Sequence, residues 1–283
     1  MKYINLFLLF LTINVCAQNT LNFDKSYIKC VDKWIIFPMD KDSTYTFGFL
    51  YIDNSAGLTF NYGGDFKINK KGDFINAESE LSKRPGFIKM RLDVSKNLVA
   101  ELPEDRIKDL KIEKTPDWLS VYKQSDDSDF AMFNKGFLYN AWNECETALI
   151  YLEKLEKIDS NYEGLFPEMA FSYNHLEQYD KAEVVLNKAV EKDPKDCYTL
   201  KELAYTYKNS KKIDKSIEVY KKMSKTCKQK NFIQETAFNL ACHYFNEKDK
   251  KNFYKWKDEA KNWSESKNQY DKYLDKLALE LEK

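Results

Sequence analysis

Few side chains in this sequence are placed to do chemistry near neutral pH. His175 and His243 are the only histidines, and both lie in the C-terminal half, so no Ser-His or Cys-His pair can form within the first 120 residues. Asp40, Asp42, Asp53, Asp65 and Asp73 stand in or near turn signals. They could act as acid and base only if two of them faced one cleft, as a carboxylate-dependent hydrolase would need. Asp40-Lys41-Asp42-Ser43-Thr44 opens like a calcium loop, yet Tyr45 and Tyr51 stand where the turn glycine and the bidentate acid belong. Ordinary turn usage is the simpler account. No Walker-type phosphate loop, zincin motif or CxxC pair occurs. The expectation is a chain that is not an enzyme, with no catalytic residue, no metal site and no cofactor.

Composition narrows the partners. Lys+Arg and Asp+Glu balance at 45 each over 283 residues, so no net field draws the chain to nucleic acid or an anionic membrane. Arg84, Arg91 and Arg106 are the only arginines, which leaves few planar forks for phosphate or guanine. Nucleic acid is not an expected partner.

The first residues read as an export signal. Lys2 precedes an apolar run from Ile4 to Val15, too short to span a bilayer, and Val15-Cys16-Ala17 suits cleavage after Ala17. Residues 1–17 are thus expected to be a signal peptide, and no transmembrane segment is expected in the mature chain. The protein would be exported, periplasmic or secreted. A lipid on Cys16 is the rival reading, which Asn14 and Val15 fit poorly. Cleavage leaves Cys30, Cys145, Cys197, Cys227 and Cys242, an odd number in an oxidising compartment, so at least one thiol stays unpaired.

Two periods divide the rest. From about Phe23 to Leu102, within a β-rich region of 18–120, the apolar residues alternate, as in Tyr45, Phe47, Phe49, Tyr51 and in Ile88-Lys89-Met90-Arg91-Leu92-Asp93-Val94, the pattern of half-buried strands. Gly63-Gly64-Asp65, Lys71-Gly72-Asp73 and Pro85-Gly86 mark turns between them, with a short helix expected near Glu104 to Leu110. The aromatic stripe from Tyr45 to Tyr51 is either β core or a platform for sugars. Residues 121–128 form a polar linker whose Gln-Ser-Asp-Asp-Ser-Asp run, from Gln124 to Asp129, also suits a helix cap.

From 129 on, the period is helical and repeats every 34 residues. With Glu163 as position 1, positions 4, 7, 8 and 11 are Phe166, Met169, Ala170 and Tyr173, and positions 20, 24, 27 and 32 are Ala182, Leu186, Ala189 and Pro194. The same frame gives Met132, Gly136, Tyr139, Ala148, Leu152 and Leu155 one unit earlier, and Leu200, Leu203, Ala204, Tyr207, Ser216, Tyr220 and Met223 one unit later. Lys135 and Ser160 depart from it in the earlier unit and Lys228 in the later one. A fourth unit fits after a slip of three residues, with Leu240, Ala241, Tyr244 and Ala260, but Phe253 takes its small position. This pattern resembles the tetratricopeptide repeat, in which small residues at positions 8 and 20 let two helices approach closely.

The whole chain resembles exported tetratricopeptide-repeat proteins of Gram-negative bacteria that carry a β-rich N-terminal region. The implied fold is α+β in two domains: a small antiparallel β-sheet or sandwich over 18–120, then an all-α solenoid of helical hairpins over 129–283. Its units would span about 129–162, 163–196, 197–230 and 234–263, closed by a cap helix over 264–283.

In such repeats a concave groove is lined by positions 2, 5, 9, 12 and 13. Carried over, these are Phe130, Phe133, Phe137 and Asn140; Phe171, Asn174 and His175; and Tyr198, Lys201, Tyr205, Lys208 and Asn209. The resemblance implies an aromatic peptide-binding groove with a basic edge. Pro167 and Phe171 replace the Lys/Asn clamp that some members close on a terminal carboxylate. For Phe130, Phe133 and Phe137, burial in an interdomain contact is the competing role, and for His175 it is contact with helix-end carbonyls.

Cys197 and Cys227 open and close one expected hairpin, so a disulfide between them and two free thiols are the alternatives. The function expected is a non-catalytic protein- or peptide-binding scaffold or adaptor outside the cytoplasm. The alternative is a cell-envelope carbohydrate-binding module that uses the β-rich domain on an envelope glycan.

Overall fold

The computed structural model describes residues 21–266 and 268–282. The expected signal peptide and Cys16 lie outside the described residues. The chain is α+β: an antiparallel sheet comes first and α-helices follow. The described residues divide into two compact units, 21–52 with 58–119, and 53–57 with 120–282.

Among the described residues seven strands build the sheet: β1 (Lys25–Ser26), β2 (Lys33–Ile36), β3 (Tyr45–Asp53), β4 (Gly57–Ile68), β5 (Phe74–Ala77), β6 (Lys89–Arg91) and β7 (Leu98–Glu101). Their hydrogen-bonded order is β1-β7-β2-β3-β4-β5, and β6 shares the outer edge of β4 with β5. In the centre, Phe47 to Ile52 of β3 are all buried, so the strand is covered on both faces. Phe47, Phe49 and Tyr51 of the aromatic stripe are core residues; Trp34 packs on the first two rings and Trp118 edge-on against Phe49 and Tyr51. Tyr45 is half-buried and stacks on Phe66.

Gly48 is required where it stands. A Cβ there would lie 2.4 Å from the Asn61 carbonyl oxygen and 2.4 Å from the Phe60 ring, closer than any side chain tolerates.

Two strand expectations need correction. Gly63 and Gly64 are not a turn but lie inside β4, where a Cβ on Gly63 would strike the rings of Trp34 and Phe47. Small size, rather than a bend, is what the sheet takes from them. The cleanest alternation, Ile88 to Val94, gives only a three-residue strand, with Lys89, Met90 and Arg91 all exposed. It lies at the outer edge of β4, and alternation alone cannot tell an edge strand from one that covers a core. The turn at Gly72 is present, with φ +86 and an Asn69 carbonyl accepting from its N–H. Near Glu104 a single 3-10 turn (Glu104–Arg106) replaces the expected helix.

Among the described residues a short helix, α1 (Leu119–Lys123), precedes nine longer ones: α2 (Asp129–Ala141), α3 (Cys145–Ile158), α4 (Leu165–His175), α5 (Tyr179–Lys192), α6 (Cys197–Asn209), α7 (Ile213–Thr226), α8 (Lys230–Asn246), α9 (Lys250–Asn262) and α10 (Gln269–Leu281). Side-chain caps start several of them. Ser128 accepts from the Ala131 N–H, Asp196 from Tyr198 and Thr199, and Asn268 forms a capping box with Asp271. The acidic stretch before α2 has a second use, because Asp126 pairs at 2.8 Å with Lys135, the buried lysine in the apolar stripe of α2.

Helices α2 to α9 pack in consecutive pairs, and the first helix of each pair also touches the first helix of the next. The turn inside each pair is the same three-residue device. Asn143, Glu177, Lys211 and Lys248 adopt left-handed φ of 58, 57, 62 and 57. The next residue's N–H then reaches back to a tyrosine carbonyl: Glu144 to Tyr139, Gln178 to Tyr173, Lys212 to Tyr207 and Asp249 to Tyr244. This is the bond that closes a helix in a Schellman motif, here made without glycine. Close approach within a pair is visible at Gly136, where a Cβ would lie 2.5 Å from Leu152. At the C-terminal end Ile233, Leu240, Phe253, Trp256, Leu274 and Leu277 share one core, so α10 covers α8 and α9.

Candidate functional site

The residues expected to line one groove separate into two groups. Asn140 and Asn174 are each 2% exposed and belong to a buried ladder. Asn140 Nδ2 donates to the Glu168 carbonyl and carboxylate at 2.9 and 3.0 Å, and its Oδ1 accepts from Ser172 Oγ at 2.6 Å. One unit on, Asn174 Nδ2 donates to the Glu202 carboxylate at 3.0 Å and Oδ1 accepts from Thr206 Oγ1 at 2.8 Å. Both asparagines therefore join α2 to α4 and α4 to α6 and face no groove. The template position placed them there; what it missed is that Glu, Ser/Thr and Asn also recur together at a 34-residue spacing.

The basic edge is also corrected. Lys201 lies 2.7 Å from Glu202 and 3.6 Å from Glu235, with its ammonium over the Tyr198 and Phe232 rings. Burial works to lower the Lys201 pKa, but the two carboxylates outweigh it and the pKa rises. Its charge is spent inside the protein. Burial pushes Glu168 up despite the Asn140 hydrogen bond and Glu235 up despite Lys201, and it raises Tyr198, which Glu168 and Glu202 push further. Lys208 is lowered by burial and covers the Tyr205 ring. Asn209 donates to the Tyr205 carbonyl, and His175 Nδ1 pairs with the Phe171 carbonyl while its ring lies tilted against Phe171, 4.1 Å between centroids.

Aromatic residues do gather beside a cavity of about 560 Å³. Phe133 and Phe137 of α2 form one wall, Tyr162 and the start of α4 at Phe166 a second, and Tyr198 of α6 a third. Phe137 is 53% exposed, and Phe133 packs on Tyr162 at 5.0 Å. Phe130 is exposed and does not line it. Tyr162, Glu163, Phe166, Asp193 and Asp196 line the cavity without having been expected to. They lie in or beside the connections between helix pairs, where a template that counts positions along first helices does not look.

Cys197 and Cys227 are joined by a disulfide with Cα atoms 5.8 Å apart, tying the start of α6 to the end of α7. Cys30, Cys145 and Cys242 are free, and burial raises each thiol, Cys242 to about 11.

The acids of the sheet unit serve local structure. Asp40 and Asp42 accept backbone bonds in the β2–β3 turn, and Asp73 holds the β4–β5 turn through Asn69. Asp53, in the 53–57 segment of the other unit, accepts from the Ser55 and Ala56 N–H groups in the β3–β4 turn. Asp65 is buried in β4, accepting from Thr46, Tyr62 and Ser79 hydroxyls. Among the described residues no three or more His, Cys, Asp or Glu side chains are grouped to hold a metal, and no helix is long and apolar enough to cross a membrane. No protein-family model matches the chain, and no curated protein matches it.

Proposed function

We propose that this chain is a non-catalytic protein- or peptide-binding scaffold or adaptor that works outside the cytoplasm. In this reading the helical half is a tetratricopeptide-type solenoid, and its working surface is the cavity beside Phe133 and Phe137. The observation that carries it is the exposed Phe137 ring beside the half-buried rings of Phe133, Tyr162 and Tyr198 around a 560 Å³ hollow, because an apolar, partly open cavity of this kind suits an interaction site. Four equivalent turns at spacings of 34, 34 and 37 residues support the repeat reading. The apolar leader before Ala17 and the Cys197–Cys227 bridge support export, since such bonds persist in oxidising compartments. The carbohydrate alternative loses its expected platform, as Phe47, Phe49 and Tyr51 are core residues.

The test is a photo-crosslinking residue in place of Phe137 in the full chain, with a control at Ile150, an exposed residue of α3 outside the cavity. Capture of a defined peptide or protein at 137 and not at 150 is expected. Equal capture at both positions, or none at 137, would reject the cavity as the working surface.

A further inference from the structure

The charge around the cavity says which kind of segment it suits. Glu163, Glu168, Asp193 and Asp196 are acidic residues of the lining, and Lys192 is the one basic residue among the described residues there. Lys192 is already engaged, donating to the Ser160 carbonyl at 2.7 Å and lying 4.6 Å from the Phe166 ring. Asp196 caps α6 and Glu168 is held in the asparagine ladder; Glu163 and Asp193 stand exposed at the rim, Asp193 also accepting from the Lys195 N–H at 2.9 Å.

Helix ends do not reverse this balance. The starts of α4 and α6 bring positive partial charges of about half a unit each, and the end of α5 brings a negative one. Even with a proton on Glu168, the pocket stays negative by more than one unit. An acidic segment or a terminal carboxylate would meet repulsion there. One exposed and several half-buried rings beside carboxylates suit an alkyl stem that ends in a cation: the stem packs on the rings, and the cation gains from both ring faces and acids.

We infer that the cavity takes the side chain of a lysine or arginine from an extended partner segment. The inference rests on the peptide-binding reading and specifies its ligand. Phe133 and Phe137 receive the stem, and Glu163 and Asp193 receive the charge.

The probe is a displayed library of random dodecapeptides selected on the immobilised full chain, and in parallel on a Glu163→Lys/Asp193→Lys variant. Both substituted residues are exposed, and circular dichroism checks that the variant keeps its fold. Selection on the unmodified chain should enrich lysine or arginine next to apolar residues. Synthetic versions of the enriched peptides should bind the variant at least tenfold more weakly and lose affinity as salt rises. Enrichment of peptides without a basic residue, or unchanged affinity for the variant, would overturn the inference while leaving peptide binding intact. No enrichment of any peptide would overturn both.

Discussion

Asn174 accepts a hydrogen bond from Thr206 Oγ1 at 2.8 Å while donating to Glu202 at 3.0 Å. Three buried polar groups from α4 and α6 thus satisfy one another, in an arrangement that Asn140, Ser172 and Glu168 repeat 34 residues earlier. Substituting Asn174→Ala removes the donor to Glu202 Oε2 and one acceptor of Thr206 Oγ1, although Glu202 keeps Lys201 and Thr206 keeps the Glu202 carbonyl. The expected loss is about 1 to 3 kcal/mol, because two buried hydrogen bonds are removed. Urea unfolding read by circular dichroism measures it, and Asn209→Ala, at a half-buried site, should cost clearly less.

Gly48→Ala should be more damaging than its one methyl suggests. The new carbon would sit 2.4 Å from a backbone oxygen as well as from the Phe60 ring, and backbone at the centre of a sheet cannot step aside. A loss of about 3 kcal/mol is expected, at the upper end for overpacking. Thermal denaturation would show it, and a change below about 1 kcal/mol would contradict the close approach.

The thiols offer a count. Unreduced and unfolded, residues 18–283 should show three reactive thiols, and five after reduction. In the folded protein Cys30, Cys145 and Cys242 should react slowly at neutral pH, since burial holds them as thiols. Replacing Cys227 by Ser should cost about 2 to 4 kcal/mol.

Acid should weaken the seat of α10. Lys261 at 2.6 Å and Lys257 at 3.1 Å hold the Asp275 carboxyl down to about 2 from its usual 3.8. A depressed carboxylate stabilises the fold above its unfolded value and loses that contribution as pH falls through the folded one. Asp275→Asn should therefore lower the melting temperature at pH 6, and the gap to the unmodified chain should close between pH 4 and 2. A gap that persists at pH 2 would assign the effect to packing.

The periodic part of the fold was legible in the sequence because one residue served two needs at once. Tyr139, Tyr173 and Tyr207 each sit on the packing stripe and supply the carbonyl that closes the turn, so the apolar pattern and the turn geometry share one spacing. Sheet details were less legible. Gly63 and Gly64 carry the same letters in a turn as under an aromatic ring, and only Trp34 and Phe47, distant in sequence, decide which. The candidate site was half legible. Phe133, Phe137 and Tyr198 follow from the repeat frame, but Glu163 and Asp193 depend on how one helix pair meets the next, and the pattern within a single helix does not encode that.

The slip of three residues before the fourth pair is taken up in α8, which has 17 residues against 13 in α6. Three residues advance a helix by about 300°, or 60° short of a full revolution, and by about 4.5 Å along its axis. Tyr244 accordingly stays near its predecessors' face and still receives the turn bond from Asp249. The added length carries Ile233 into the core and holds out Gln234, whose amide accepts from Asn268 and donates to Asp271 at the start of α10. Lengthening here and termination of the stack are one event: removing a near-complete revolution would leave the tyrosine roughly in register while withdrawing the latch for the last helix, whereas removing two residues would swing the whole face by about 160°.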